Sequence, residues 1–171
     1  STKNLRNMAR IFIAIRFDDE FKQELVGLQN ALKNRGVEGN YCPYGNLHMT
    51  LAFIGEKYDL PEIRKAVNEV ALEPFTITLD NLGMFPTKAG VIWCGIKEQE
   101  QTTTLADRLR DSLTAHGVLY NTHRFVPHIS LVQHPSCIVT DIEVPKVSIR
   151  IERIYVMKSE RINGELIYSE V

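Results

Sequence analysis

No stretch of this chain is apolar for long enough to cross a bilayer, and none near its start has the apolar heart of a secretion signal. A membrane-embedded protein is therefore not expected. Cysteine is nearly missing as well. Cys42, Cys94 and Cys137 are odd in number, lie far apart and form no CxxC pair, which argues against a disulfide framework or a thiolate zinc site. The three thiols point to a reducing, cytoplasmic setting, each as a small buried hydrophobe. Nor is there an excess of charge of either sign: the formal net charge is −1, with acids and bases interspersed. A groove that tracks long nucleic acid gains affinity by neutralising many phosphates, and so tends to be basic. Near-neutrality favours a small ligand, or the end of a polynucleotide, over such a groove.

What the chain does have is one short pattern written twice. Asn46-Leu47-His48-Met49-Thr50-Leu51-Ala52-Phe53-Ile54-Gly55 returns as Pro127-His128-Ile129-Ser130-Leu131-Val132. Both copies read histidine, apolar, hydroxyl, leucine inside an apolar run bounded by turn residues, which predicts a strand. Side chains alternate across a strand, so His48 and Thr50 share one face while Met49 and Leu51 take the other. His128 and Ser130 stand in the same relation to Ile129 and Leu131. An imidazole beside a hydroxyl, backed by core aliphatics and present twice, reads as two halves of one acid–base site.

The surrounding order repeats too. Ser1 to Asn7 precede Met8 and read as a loose terminus, so residues 1–9 are set apart as a flexible extension and 10–171 as one domain. Arg10–Arg16 predicts a central strand. Asp18 and Asp19 then cap a helix carrying Phe21, Leu25, Leu28 and Leu32, stopped at Gly36. A loop or short strand over 37–46 leads into the first histidine strand. A second helix starts at Leu60-Pro61-Glu62, and Phe75–Asp80 alternates as a half-buried strand. After a turn at Pro86–Gly90 comes the strand Val91–Ile96, then a helix with Leu105, Leu109 and Leu113, stopped by Gly117. His48 to His128 is 128 − 48 = 80 positions, and Ile13 to Trp93 is also 93 − 13 = 80. Val147–Ile154 repeats the alternation of Phe75–Leu82, and Asn163-Gly164 turns into a closing strand. Residues 134–146 carry no helical period, so a loop replaces the second helix there. The duplication predicts an α+β fold of two similar lobes (about 10–85 and 90–171), with mostly antiparallel sheets lining a central cleft and helices outside.

Two HxTx-type tetrapeptides 80 residues apart, with the flanks Arg10–Ala14, Phe53-Ile54-Gly55, Leu82–Pro86, Val91–Gly95 and Phe125-Val126-Pro127, resemble the 2H phosphoesterase superfamily. The nearest branch is that of the RNA 2′,3′-cyclic phosphodiesterases, also called 2′-5′ RNA ligases. The chain departs from the family pattern at Ser130, which keeps the hydroxyl of the commoner Thr. It also departs at Gln133 and Ala52, where many members carry cations, and at Tyr41, where Trp is frequent. The resemblance implies hydrolysis of 2′,3′-cyclic phosphates on RNA ends or nucleotides to a 2′-phosphate, with weak 2′-5′ ligation as the reverse. It implies His48 as proton donor, His128 as proton acceptor, and Thr50 and Ser130 as donors to phosphate oxygens.

Histidine suits both proton transfers, because its unperturbed pKa of about 6.5 lies near neutrality. Each transfer is typically worth roughly 10²–10⁴ in rate. For either motif alone, a satisfied core histidine is the better reading; two at matching repeat positions favour the catalytic one. His116, His123 and His134 offer further imidazoles but no carboxylate cluster accompanies them, so no metal and no cofactor is expected. His116 reads as a helix-end cation. Arg124 is a candidate phosphate contact, and Tyr41 and Phe85 are candidate base-stacking rings. Trp93 reads as core, and Lys57, Arg108, Arg110, Arg150, Arg153 and Arg161 as surface charge. The alternatives are a related enzyme acting on ADP-ribose cyclic phosphate or 2′-5′ oligonucleotides, and a silent nucleotide- or RNA-binding module. A cytoplasmic monomer with no membrane partner completes the expectation.

Overall fold

The computed structural model describes residues 9–86 and 90–171. The expected extension before Ala9 and the centre of the turn at Thr87–Ala89 lie outside them. In chain order the elements are β1 (Arg10–Arg16), α1 (Asp19–Asn34), β2 (Asn40–Tyr41), a short 3-10 turn (Tyr44–Asn46), β3 (His48–Gly55) and α2 (Leu60–Asn68). There follow β4 (Phe75–Phe85), β5 (Val91–Ile96), α3 (Gln99–Ala115), β6 (Ile129–Gln133), β7 (Ser148–Ile151), β8 (Tyr155–Ile162) and β9 (Glu165–Glu170). The described strands form two antiparallel sheets, ordered β3-β1-β8-β9 and β2-β6-β5-β4-β7. This is the expected α+β fold. Among the described residues no helix is long and apolar enough to cross a membrane.

The helix signals act as the sequence suggests. Asp18 accepts a hydrogen bond from Phe21 N at 2.9 Å, an N-cap worth about 1 kcal/mol. Phe21, Leu25, Leu28 and Leu32 are buried along one stripe. Gly36 ends the helix at φ 83°, a left-handed conformation that costs a residue without a Cβ little. Leu105, Leu109 and Leu113 form the matching stripe on α3. At the other end of the chain, Asn163 and Gly164 both take positive φ, as a two-residue hairpin turn between β8 and β9 demands.

The two sheets are built alike, and by exchange. β1 runs between β3 and β8, while β5 runs between β6 and β4. Each three-stranded unit therefore takes two strands from one half of the sequence and one from the other. That corrects one expectation: Val147–Ile154 is not the counterpart of Phe75–Leu82. β7 is the edge strand beyond β4, and β8 holds the equivalent place, with 155 − 75 = 80 between their starts. Alternation announces a strand but not its neighbours, which is why pattern alone chose the wrong partner. The helices cross over as well. α1 packs against β6 and α3 against β3, so each covers the histidine strand of the opposite half.

Candidate active site

The two histidine motifs carry the same backbone irregularity. In the β1–β3 ladder Ala14 pairs with Thr50 and Ile13 with Ala52, leaving Leu51 as an extra residue. In the β5–β6 ladder Trp93 pairs with Ser130 and Ile92 with Val132, leaving Leu131 extra. These β-bulges sit 131 − 51 = 80 positions apart. A bulge resets the two-residue alternation, so beyond Thr50 it is Phe53, opposite Phe12, rather than Ala52 that shares the Thr50 face of the strand. Phe53 is 56% exposed and Ala52 is buried. A strictly alternating strand could not reveal this.

Both histidines are held by one device. His48 Nδ1 lies 2.6 Å from Asn46 O, and His128 Nδ1 lies 2.6 Å from Val126 O. A carbonyl only accepts, so each Nδ1 carries the hydrogen and each Nε2 is the unprotonated nitrogen of the neutral ring. His48 Nε2 meets Thr50 Oγ1 at 2.6 Å. His128 is packed edge-on against Phe85, ring centroids 4.8 Å apart. Its Nε2 has no hydrogen-bond partner among the described residues.

Electrostatics follow from this packing. Burial, above all, pulls the His48 imidazole down to about 4; the bond to Asn46 O opposes the shift, and repulsion from a charged His128 adds to it. Burial also lowers His128, against the opposing bond to Val126 O. Both rings are thus neutral at pH 7 in the free protein, and placing a proton on one disfavours placing one on the other.

β3 and β6 approach each other, and a cleft of about 290 Å³ opens between the halves. Thr50 and Phe53 line it from one side, and Phe85 and His128 from the other, with Arg110 and Arg124 also on its walls. Ser130 stands opposite Trp93 in the ladder, half-buried. Tyr41 lies elsewhere, its hydroxyl donating to Val37 O at 2.6 Å and its ring under the Lys33 ammonium. His123 lines the cleft; His134 is exposed. His116 caps α3 and bonds Glu69 at 2.7 Å and Glu62 at 3.2 Å. No group of three or more His, Cys, Asp or Glu suited to a metal occurs among the described residues.

Three expectations change. Arg110 is not surface charge but a half-buried cleft residue. Trp93 is not plain core: it supports Phe85 at 5.3 Å and His128 at 6.2 Å between ring centroids. Its ring lies across Gly83, where an added Cβ would come within 2.3 Å of it. Cys137 is exposed, whereas Cys94 is buried, with its thiol pushed up to about 12 by burial. Arg110 carried no motif in the sequence, and Phe53 stood in the flank of the first motif with no role assigned; only the bulge and the helix crossover bring them to the cleft.

Comparison with known proteins agrees with this fold. The family model of the 2'-5' RNA ligase superfamily matches residues 21–163. An RNA 2',3'-cyclic phosphodiesterase of Thermotoga maritima is 27% identical over 163 residues, covering 88% of this chain and 86% of the relative. One of Escherichia coli is 32% identical over 136 residues, covering 77% and 75%. The crystal structure of E. coli LigT in apo form superposes with a TM-score of 0.79 at 27% identity, over 96% of this chain and 95% of that one. With its two sheets, its duplicated motifs and this match, the chain belongs to the 2′-5′ RNA ligase superfamily of 2H phosphoesterases.

Proposed function

We propose that residues 10–171 form one catalytic unit that hydrolyses 2′,3′-cyclic phosphates on RNA ends or nucleotides to 2′-phosphomonoesters. The carrying observation is that Thr50 of one motif and His128 of the other line one cleft, with each imidazole tied back to a carbonyl through Nδ1 and His48 Nε2 held on Thr50. Both motifs come from one chain, so a monomer suffices. Relatives named RNA 2',3'-cyclic phosphodiesterase support the substrate class.

In this reading His128 Nε2 takes a proton from the attacking water. The water oxygen bonds to phosphorus and the P–O3′ bond breaks. His48, protonated at Nε2, returns a proton to the leaving O3′, and the 2′-phosphate remains. The mutual repulsion of the imidazoles disfavours a second proton on the pair, and an acid–base couple needs one. An anionic phosphate in the cleft raises both pKa values and helps to retain that proton. Thr50 releases His48 to the substrate and, with Ser130, donates to the non-bridging oxygens, where charge is held in the transition state. Arg124 and Phe85 are rim contacts for phosphate and base. Ligation to a 2′-5′ linkage is a minor activity, the same displacement at phosphorus with a 5′-hydroxyl in place of water and the P–O3′ bond again broken.

The test is product analysis with a nucleoside 2′,3′-cyclic phosphate. Accumulation of the 2′-monophosphate is expected; the 3′-monophosphate as sole product, or no turnover, rejects the reading.

A further inference from the structure

The two bulges are held open by a matched pair of side chains. From α1, Gln29 Nε2 donates to Leu131 O and to Cys42 O, each at 2.9 Å. From α3, Arg110 donates to Leu51 O at 3.4 Å and to His123 O at 3.0 Å. Arg110 lies 110 − 29 = 81 positions after Gln29, and His123 lies 123 − 42 = 81 after Cys42. Both side chains do the same mechanical work: each ties the bulge carbonyl of one histidine strand to a carbonyl in a segment from the other half of the pseudo-symmetric fold. A neutral amide does this in one place and a guanidinium in the other. The strut therefore does not require charge.

Yet the charge is there, and the protein leaves it unanswered. Among the described residues Arg110 forms no ion pair, its neighbours are the Tyr120 and Phe125 rings at 5.6 and 5.7 Å, and no carboxylate lines the cleft it faces. Its Nε is buried without a hydrogen-bond partner. A half-buried cation with only carbonyls and rings around it is costly to desolvate unless an anion completes its surroundings.

We propose that Arg110 binds the phosphoryl group of the substrate, held in advance by its two carbonyl contacts. This rests on the reading of the cleft as a phosphodiester site. Arg110 thereby supplies a cation from a helix, where Ala52 and Gln133 beside the motifs supply none. A charge-assisted contact of this kind is worth about ten-fold or more in affinity.

The experiment compares wild type, Arg110→Gln and Arg110→Lys, with inorganic phosphate as a competitive inhibitor of cyclic-phosphate hydrolysis and as a directly titrated ligand. Arg110→Gln copies the Gln29 strut, so its fold should persist while the phosphate inhibition constant and KM rise about ten-fold. Arg110→Lys keeps the charge and should recover most of that loss. An inhibition constant in Arg110→Gln equal to the wild-type value overturns the proposal. In the wild-type protein, the Arg110 Nε–H resonance should shift on saturation with phosphate, a readout that needs no folded variant; no shift also overturns it. If wild type opens no cyclic phosphate but still binds phosphate through Arg110, the assigned reaction fails and this assignment stands. If turnover is normal and Arg110→Gln binds phosphate unchanged, only this assignment fails.

Discussion

At the scale of single residues, the site depends on tying down one nitrogen of each imidazole. Because His48 and His128 make the same Nδ1 bond to the carbonyl two residues back, neither ring advertises its role by geometry. Their partners do differ: Thr50 already engages His48 Nε2. Replacing either histidine with alanine should cost roughly 10²–10⁴ in kcat on a cyclic phosphate. An aryl phosphodiester separates the roles, since phenolate leaves without a proton. On that substrate the deficit of His48→Ala should shrink and that of His128→Ala should persist; the reverse pattern would exchange acid and base. The lowered pKa values set the pH response as well. In the free enzyme kcat/KM should be bell-shaped, with both limbs below the ordinary histidine value of about 6.5. The phosphate's negative charge raises both groups, so the limbs of kcat should lie at higher pH than those of kcat/KM. Coincident limbs in the two profiles would mean that no anion shares the cleft with the rings.

At the scale of elements, what matters is how strands and helices are joined. Capping, leucine stripes and glycine stops were readable because each is a local transaction among neighbours in sequence. The bulges at Leu51 and Leu131 were not, since a bulge exists only relative to the strand beside it. The contact between α2 and α3 shows the same dependence. His116, placed at a helix end by sequence, also joins two glutamates of the other helix. Hydrogen bonds first to Glu69 and then to Glu62 raise its pKa. A raised histidine stabilises the fold fully below its unfolded pKa, near 6.5, and this contribution is lost as pH rises through the higher folded value. The melting temperature of wild type should therefore exceed that of His116→Gln by the widest margin in mild acid, and the gap should close toward alkaline pH. A gap that is constant across pH would show that the imidazole acts by packing alone.

At the scale of the whole molecule, duplication with exchange is the governing fact. Each sheet borrows two strands and each histidine strand is covered by a helix from the opposite half, so neither half can complete its sheet alone. The same exchange brings Thr50 of one motif and His128 of the other to one cleft and lets α3 deliver Arg110 to the bulge beside Thr50. The sequence by itself determined the paired motifs, the three helices with the cap of the first, and the interval of 80 that relates the halves. These depend on periodicity and on residues close together along the chain. Only the tertiary structure decided that β8 rather than β7 partners β1, that Phe53 and Arg110 face the cleft, and that Tyr41 turns away from it. Those outcomes depend on which strands lie side by side and where a ladder slips by one residue, and a single chain read in order contains no distance between its own distant parts.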